Sequence, residues 1–231
     1  MPDGGSTGIG ASVKRKEDYR FLVGEGNYTD DINRPNQTYT YMLRSSSAHA
    51  KFSIDTSKAS KAKGVVQIFV GTDMEVGSIP CGWQVDSKDG TPMREPAHPP
   101  IAKDKVRYVG EIIAVIIAES LEDAKNAAEL IDVNYDDIPV IIDMQDALDN
   151  SKGLVHDEIE SNVCYDWELG DNEAVDKAIS EAAHITSLDI RNNRLIPNAM
   201  ETRSAIGDYE HATGQYTLYT TSQNPHVIRL L

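Results

Sequence analysis

Cysteine is scarce in this chain, and its two cysteines, Cys81 and Cys164, are far apart among 231 residues. No CxxC pair is present, which argues against a disulfide framework and against a zinc or iron–sulfur site held by cysteine. Two unpaired thiols are typical of a reducing compartment. The start of the sequence also lacks the basic and apolar regions of a signal peptide, so we expect a cytoplasmic protein.

Positive charge is in short supply as well. Lys and Arg total 22 against 37 Asp and Glu, giving a formal net charge of -15. A field of this sign repels phosphate backbones and anionic lipids, which argues against binding to DNA or any other nucleic acid and against membrane contact. The longest apolar run, Ile112–Ala118, has the length of a buried strand and is too short to span a membrane.

Recognisable catalytic patterns are missing too. The six histidines are scattered without an HExxH pattern, which predicts surface or loop positions rather than metal ligands. The acidic pairs Asp30-Asp31 and Asp136-Asp137 are read as turn residues whose carboxylates accept bonds from backbone amides. Residues 4–10 are glycine-rich, but a phosphate-binding loop must follow a strand, so a flexible leader is favoured. Taken alone, these sequence patterns predict an α+β domain and identify no catalytic site.

The clearest local pattern is a strand–helix–strand unit. Residues 112–118 are apolar on both faces, as in a central strand, and Ser120 with Asp123 resembles a capping box that opens a helix. Further strand material is predicted at 132–135 and 140–142. Residues 74–100 are rich in proline and glycine, which predicts a long surface loop of functional or interface character.

The second half predicts less regular structure. We expect a linker at 146–157 with its soft point at 150–153, and a helix capped by Asp171 whose face of Val175, Ala178, Ile179 and Ala182 points inward. A strand is predicted at 186–190, followed by a hairpin of 205–209 with 216–221 and a helix beginning at Asn224-Pro225. That helix stops at Leu231 without a cap, which predicts that the natural chain continues.

Several phrases in unbroken order carry a family resemblance. Residues 10–31, with GASVKRKED and GEGNYTDD, and Arg44-Ser45 followed by Ala48-His49-Ala50 resemble xanthine dehydrogenase and aldehyde oxidase relatives. KVRYVGE at 105–111, NRLIPNAMETR at 193–203 and TTSQNPH at 220–226 resemble large, molybdenum-binding subunits of aerobic carbon monoxide dehydrogenases. Ala199 and Thr202 depart from that pattern, where the family has proline.

The resemblance implies an α+β architecture of two parts. It implies a leader at residues 1–17, an α/β hammerhead domain at 18–147, and the beginning of a molybdopterin-binding domain at 148–231. The family's large subunit is several times longer, and its remaining cofactor loops, base glutamate and copper-binding cysteine loop lie downstream. We therefore expect this chain alone to be inactive.

The implied chemistry is that of a molybdenum hydroxylase. Molybdenum carried by molybdopterin cytosine dinucleotide, in some relatives with copper, would transfer oxygen from water to carbon monoxide. The resemblance further implies a medium subunit with FAD and a small subunit with 2Fe-2S clusters, arranged as a dimer of heterotrimers. Gln223 matches the family glutamine whose side-chain amide donates to an oxygen ligand of molybdenum, so it is the one candidate catalytic and cofactor-binding residue.

Alternatives remain open at this point. A related enzyme could oxidise an aldehyde or another carbonyl compound, and a non-catalytic subunit could use the hammerhead domain for docking. Gln223 could also simply precede the helix that begins at Asn224-Pro225.

Overall fold

The computed structural model describes residues 8–11 and 13–230, and it contains both helices and strands. The helices are α1 (Asp18–Leu22), α2 (Leu121–Ala128), α3 (Met144–Leu148), α4 (Asn172–Ser180) and α5 (Pro225–Leu230). The strands are β1 (Tyr39–Arg44), β2 (Ala50–Asp55), β3 (Val65–Val70), β4 (Lys105–Val106), β5 (Ile112–Ala118), β6 (Asp132–Asp137), β7 (Ala205–Glu210) and β8 (Gln215–Thr220). The predicted α+β class is confirmed. The glycine-rich leader lies largely outside the described residues. Within the described part, no helix has the length and apolar character needed to cross a bilayer.

The chain forms two compact units. Residues 38–188 form one, called here the central unit, and residues 1–37 together with 189–231 form the other, called the split unit. The central unit holds β1 to β6, whereas the split unit holds α1, α5 and the β7–β8 pair.

Two antiparallel three-stranded sheets build the central unit, in the orders β1-β5-β3 and β4-β2-β6. Strand β5 is buried on both faces. Its Ala114, Ile116 and Ala118 join one core with the alanines of α2, and Ile113 joins a second core with Val106 and Ala50. This double burial explains the unbroken apolar run that the sequence shows at 112–118.

Helix α2 begins where the sequence predicts. The Ser120 hydroxyl accepts a bond from the Asp123 amide at 3.0 Å and donates to the Asp123 carboxylate at 2.6 Å. Ala124, Ala127 and Ala128 are buried on the inner face. The small side chains let the helix lie close to the sheet, because no bulky group holds the two apart.

The second strand of the predicted unit is only partly as expected. Strand β6 reaches Asp137 and pairs with β2, in the other sheet from β5. Asp136 and Asp137 therefore lie in a strand, and their assignment to a turn is wrong. The strand predicted at 140–142 is absent from these described residues, because β2 begins at Ala50, opposite Asp137, and offers no further partner.

The long loop predicted at 74–100 is confirmed, but it is more ordered than its composition suggests. The Ile79 amide donates to the His98 carbonyl at 2.8 Å, and an isolated bridge joins Asp86 to Pro92. Its far end bonds to the later segment at 163–166, where the Arg94 amide donates to the Cys164 carbonyl at 2.9 Å. The loop is an arm that holds this segment in place.

The predicted linker at 146–157 is also fastened. It overlaps α3 and a short 3-10 turn at Asn150–Lys152. The Asn162 side chain donates to the Gly153 carbonyl and accepts from the Val155 amide, each at 2.9 Å. Lys105, only 6% exposed, holds Asp157 through its ammonium at 3.0 Å. The proposed soft point is thus bonded on both sides.

Helix α4 has the predicted cap but not the predicted burial. The Asp171 carboxylate accepts from the Ala174 amide at 2.9 Å. Val175 is 53% exposed and Ile179 is 50% exposed, so the face predicted to point inward is open. The strand predicted at 186–190 is wrong, since these residues have no strand assignment and Leu188 is 78% exposed. An alternating pattern forms a strand only when a neighbour pairs with its backbone groups.

The hairpin and last helix are confirmed in the split unit. Strands β7 and β8 pair from Ala205 opposite Thr220 to Glu210 opposite Gln215. Gly214 has a φ of 70°, a left-handed conformation that glycine adopts readily in the turn. Helix α5 begins at Pro225, directly after Asn224.

Candidate functional site

The residue predicted to be functional, Gln223, lines an open cleft of about 800 Å³ in the split unit. It lies between the end of β8 and the start of α5. The Asn224 amide donates to the Ser222 hydroxyl at 3.0 Å, and the Ile228 amide donates to the Asn224 carbonyl at 3.2 Å. These bonds fix the backbone on the C-terminal side of Gln223. No hydrogen bond to its side-chain amide is found within residues 8–11 and 13–230.

One wall of the cleft comes from strand β8 and the turn after it. The sequence TTSQNPH supplies several polar groups in succession, and the end of β8 is tied to β7 because the Thr221 amide donates to the Ser204 carbonyl at 3.3 Å. Lining residues from this wall are Leu218, Tyr219, Thr220, Thr221, Ser222 and Gln223. The paired hairpin therefore carries neutral donors and acceptors into the cleft.

A second set of lining residues comes from the run at 193–203. Ala199, Glu201 and Arg203 face the cleft, and Glu201 and Arg203 bring opposite charges to it. In the part of the chain that the structure describes, no ion pair within 4.0 Å involves either side chain. An unpaired guanidinium is suited to anionic or carbonyl oxygens, since it presents several fixed donors.

A third wall was missed by sequence reasoning. Asn27, Tyr28, Thr29 and Ile32 line the same cleft, although nearly 200 positions separate them from Gln223 in the sequence. The first three belong to the GEGNYTDD phrase, which carried the resemblance but no predicted role, and Ile32 directly follows it. No local signal reveals this proximity, because it depends on how the chain returns after the central unit.

The donor set decides which kind of group would fit. Among the described residues, no group of three or more His, Cys, Asp or Glu side chains could hold a metal ion. The cleft instead presents an amide, hydroxyls and a guanidinium. Such groups fit a metal that is carried by its own organic ligand and whose oxygens need hydrogen-bond donors. A metal ligated directly by the protein does not fit here.

His49 lies in a loop, as predicted, but it is buried, with 4% of its surface exposed. It lies immediately before β2, and its Nδ1 is 2.9 Å from the Pro139 carbonyl oxygen, which makes Nδ1 the protonated nitrogen. Its Nε2 is buried without a hydrogen-bond partner among the described residues.

A second cavity, of about 420 Å³, lies in the central unit beneath the 74–100 arm. Cys81 and Cys164, far apart in sequence, both line it, and both are free thiols. Burial, followed by the positive charge of Arg107, lowers the pKa of His156 in its lining. Burial, followed by the negative charge of Glu111, raises the pKa of Tyr108. Partial burial is the largest cause of both shifts.

Comparison with known proteins places both halves of the chain. Residues 23–139 match the family model described as "Aldehyde oxidase and xanthine dehydrogenase, a/b hammerhead domain". Residues 155–231 match the "Molybdopterin cofactor-binding domain". Gln223 and most of the cleft lining therefore fall within the second match, whereas Asn27 to Ile32 fall within the first.

Individual relatives agree with the family models. The chain is 30% identical to the carbon monoxide dehydrogenase large chain of Afipia carboxidovorans, covering 96% of this chain and 28% of that one. It is 32% identical to the nicotine 6-hydroxylase large subunit of Paenarthrobacter nicotinovorans, covering 96% of this chain and 27% of that one. It thus spans little more than a quarter of the length of these relatives.

Solved structures agree in fold. The crystal structure of quinoline 2-oxidoreductase from Pseudomonas putida 86 superimposes with a TM-score of 0.80 at 31% identity, covering 94% of this chain and 27% of that one. The combined matches confirm a hammerhead domain followed by the start of a molybdenum-cofactor-binding domain. The chain therefore belongs to the aldehyde oxidase and xanthine dehydrogenase family of molybdenum hydroxylases.

Proposed function

We propose that this chain supplies the hammerhead domain and the first cofactor-contacting elements of a molybdenum hydroxylase large subunit, with Gln223 at the catalytic centre. The observation that carries the proposal is Gln223, which lies within the molybdopterin-binding match and lines an open cleft. Its neighbours are neutral donors and a guanidinium, and no protein metal cluster competes for the same place among the described residues.

Each cleft residue has a defined task in this proposal. Gln223 would donate a hydrogen bond from its side-chain amide to an oxygen ligand of the metal. This bond would stabilise negative charge on that oxygen, and the amide would keep its proton. Arg203 would bind an anionic part of the cofactor or substrate, with Thr220 and Ser222 as further donors. When bound, the molybdenum–pterin group supplies oxygen transfer and accepts the two electrons.

For the complete enzyme, we propose carbon monoxide as the substrate and water as the source of oxygen. The support is the 30% identity to a carbon monoxide dehydrogenase large chain over 96% of this chain. On the same basis, we propose molybdopterin cytosine dinucleotide as the form of the cofactor, with copper beside molybdenum. We also propose a medium subunit with FAD and a small subunit with 2Fe-2S clusters, arranged as a dimer of heterotrimers.

A second candidate is hydroxylation of an aldehyde or of an aromatic nitrogen heterocycle. Identity to the nicotine 6-hydroxylase subunit is 32%, as high as to the carbon monoxide enzyme. The cleft also includes Tyr28, Ile32, Leu218 and Tyr219, which would contact a planar organic substrate. A diatomic gas would make little use of that surface.

The test is a substrate panel on the complex purified from its native host. Molybdenum content is measured first, and then acceptor reduction with carbon monoxide, an aliphatic aldehyde and a nitrogen heterocycle. We expect stoichiometric molybdenum and turnover of one class. Turnover of carbon monoxide alone supports the first candidate, and turnover of an organic substrate alone supports the second. A complex without molybdenum would refute both and would favour a non-catalytic docking subunit.

A further inference from the structure

The wall formed by residues 27–32 is a self-contained loop. The Tyr28 amide donates to the Asp31 carboxylate at 3.0 Å, and the Asp31 amide donates to the Tyr28 carbonyl at 3.0 Å. The Ile32 amide closes the next turn on the Thr29 carbonyl at 3.2 Å, and Thr29 is 8% exposed. These bonds order the loop, and the contacts that hold the loop in place decide how often the bonds open.

Arg34, two residues after the 27–32 loop, connects the loop to strand β7. The backbone of Arg34 is fixed in its own turn, because its amide donates to Gln37 Oε1 at 3.0 Å and its carbonyl accepts from the Gln37 amide at 3.2 Å. Its guanidinium lies 2.6 Å from Asp208 Oδ2. Asp208 is in β7 opposite Thr217 of β8, and the next residue of β8, Leu218, lines the cleft. The ion pair therefore joins the loop to the hairpin that leads to Gln223.

We propose that Arg34 is a positioning residue, whose ion pair with Asp208 holds the 27–32 loop as a wall of the cleft lined by Gln223. This inference rests on the proposed function of that cleft. Neither Arg34 nor Asp208 lines the cleft itself, so neither would touch the reacting atoms. The loop presents Tyr28 and Ile32, which in the proposed function would contact substrate, whereas Gln223 would face the oxygen ligands of the metal. Loss of the pair should therefore change substrate affinity more than the chemical step.

The exposure of the two side chains limits the size of the effect. Arg34 is 44% and Asp208 is 30% exposed, which places the pair among partly solvated ion pairs. Such pairs shift an equilibrium by about two- to fivefold. We expect a change of this size in loop opening, and a similar factor in KM.

The test compares Arg34→Asp, Asp208→Arg and the double variant that exchanges the two charges. In the complete complex, hydrogen exchange is followed at the amides of residues 27–32, and kcat, KM and molybdenum content are measured. The control is Lys58→Asp, which breaks the exposed 3.1 Å pair with Asp132 in the central unit.

Both single variants should speed exchange of the loop about two- to fivefold and raise KM by a similar factor, with kcat within about twofold. The exchanged pair should recover at least half of each loss, and Lys58→Asp should change neither. Unaltered exchange in the single variants, or a double variant no better than they are, overturns the ion-pair role. Faster exchange with unaltered KM overturns the role in the cleft. A wild-type complex without molybdenum defeats the proposed function instead, and the exchange data still decide whether Arg34 positions the loop.

Discussion

At the scale of single residues, Gln223 is the side chain on which the proposed chemistry depends most. In the complete complex, Gln223→Ala removes a donor that acts mainly in the transition state, so kcat should fall by about two orders of magnitude, or roughly 2–4 kcal/mol. Gln223→Glu should also fail, because a carboxylate would repel a negatively charged oxygen ligand. The measurement is turnover per molybdenum. Gln215→Ala, at the turn end of β8, is the matched control. Near-normal turnover of either Gln223 variant with full metal content would show that the residue is structural.

Gly71 offers a residue-scale test of packing. A Cβ placed there would lie 2.3 Å from the Ala102 carbonyl oxygen, which is backbone and cannot move aside cheaply. Gly71→Ala should lower the free energy of unfolding by about 1–3 kcal/mol, the range for overpacking. Gly77 has nothing within 4 Å of its Cβ position, so Gly77→Ala serves as the control. Urea unfolding compares the two, and equal stabilities would contradict the close approach.

Sequence reasoning found one residue of the cleft and missed the rest. Gln223 was identified because its phrase resembles a known family, not because its local pattern predicts chemistry. Glu201 and Arg203 lay in another resembling phrase but carried no predicted role. Tyr28 and Thr29 could not be placed beside Gln223, since proximity across such a sequence separation follows from the fold and not from periodicity.

At the scale of elements, the segment after α3 is held by a buried cation. The Lys105 ammonium bonds both oxygens of Asp157, at 3.0 and 3.2 Å, while Asp157 itself is 74% exposed. Asp157→Asn replaces the charged partner of the Lys105 ammonium with a neutral amide. The free energy of unfolding should fall by about 1 kcal/mol, because solvent around the exposed Asp157 screens the ion pair. Adding Lys105→Met should recover part of this loss, because the charge is then gone. Thermal unfolding measures both. The control, Asp132→Asn, removes an exposed pair with Lys58 and should cost less than about 0.5 kcal/mol. Equal losses in the two asparagine variants would contradict the buried role of Lys105.

The same segment predicts how stability depends on pH. Burial, then Arg107, lowers the pKa of His156, so below pH of about 6.5 the unfolded chain gains a proton that the native chain resists, and stability falls. The pKa of Asp157 is lowered by its bond to Lys105, so its contribution is present above pH of about 4 and is lost as pH falls further. Urea unfolding between pH 7 and 5 should show a smaller decline in His156→Gln than in wild type. An identical decline would contradict this.

Elements that local sequence patterns specify were predictable, whereas elements that depend on a neighbouring strand or a covering surface were not. Strand β5 and helix α2 followed from an apolar run and a capping serine, which act locally. The strand expected at 140–142 failed because β2 had no backbone left to pair with it. The inward face expected for α4 is open in this chain, because amphipathic spacing specifies a face but not what covers it.

At the scale of the whole molecule, contacts and family matches divide the chain differently. The family matches cover 23–139 and 155–231, whereas the compact units are 38–188 and the split unit. The 74–100 arm and the Lys105–Asp157 pair explain why residues up to about 166 stay with the hammerhead sheets. The boundaries proposed from resemblance, at 17 and 147, therefore remain a prediction.

For the whole molecule, we propose that this chain forms part of an enzyme that takes oxygen from water at a molybdenum centre. The most direct measurement is turnover of the complete complex without O₂, with a dye as the electron acceptor, and metal analysis of the same sample. A molybdenum hydroxylase should oxidise its substrate at full rate without O₂, because its oxygen comes from water, and molybdenum should be present in proportion to the large subunit. A strict requirement for O₂, or full activity in a complex free of molybdenum, would overturn the proposed function.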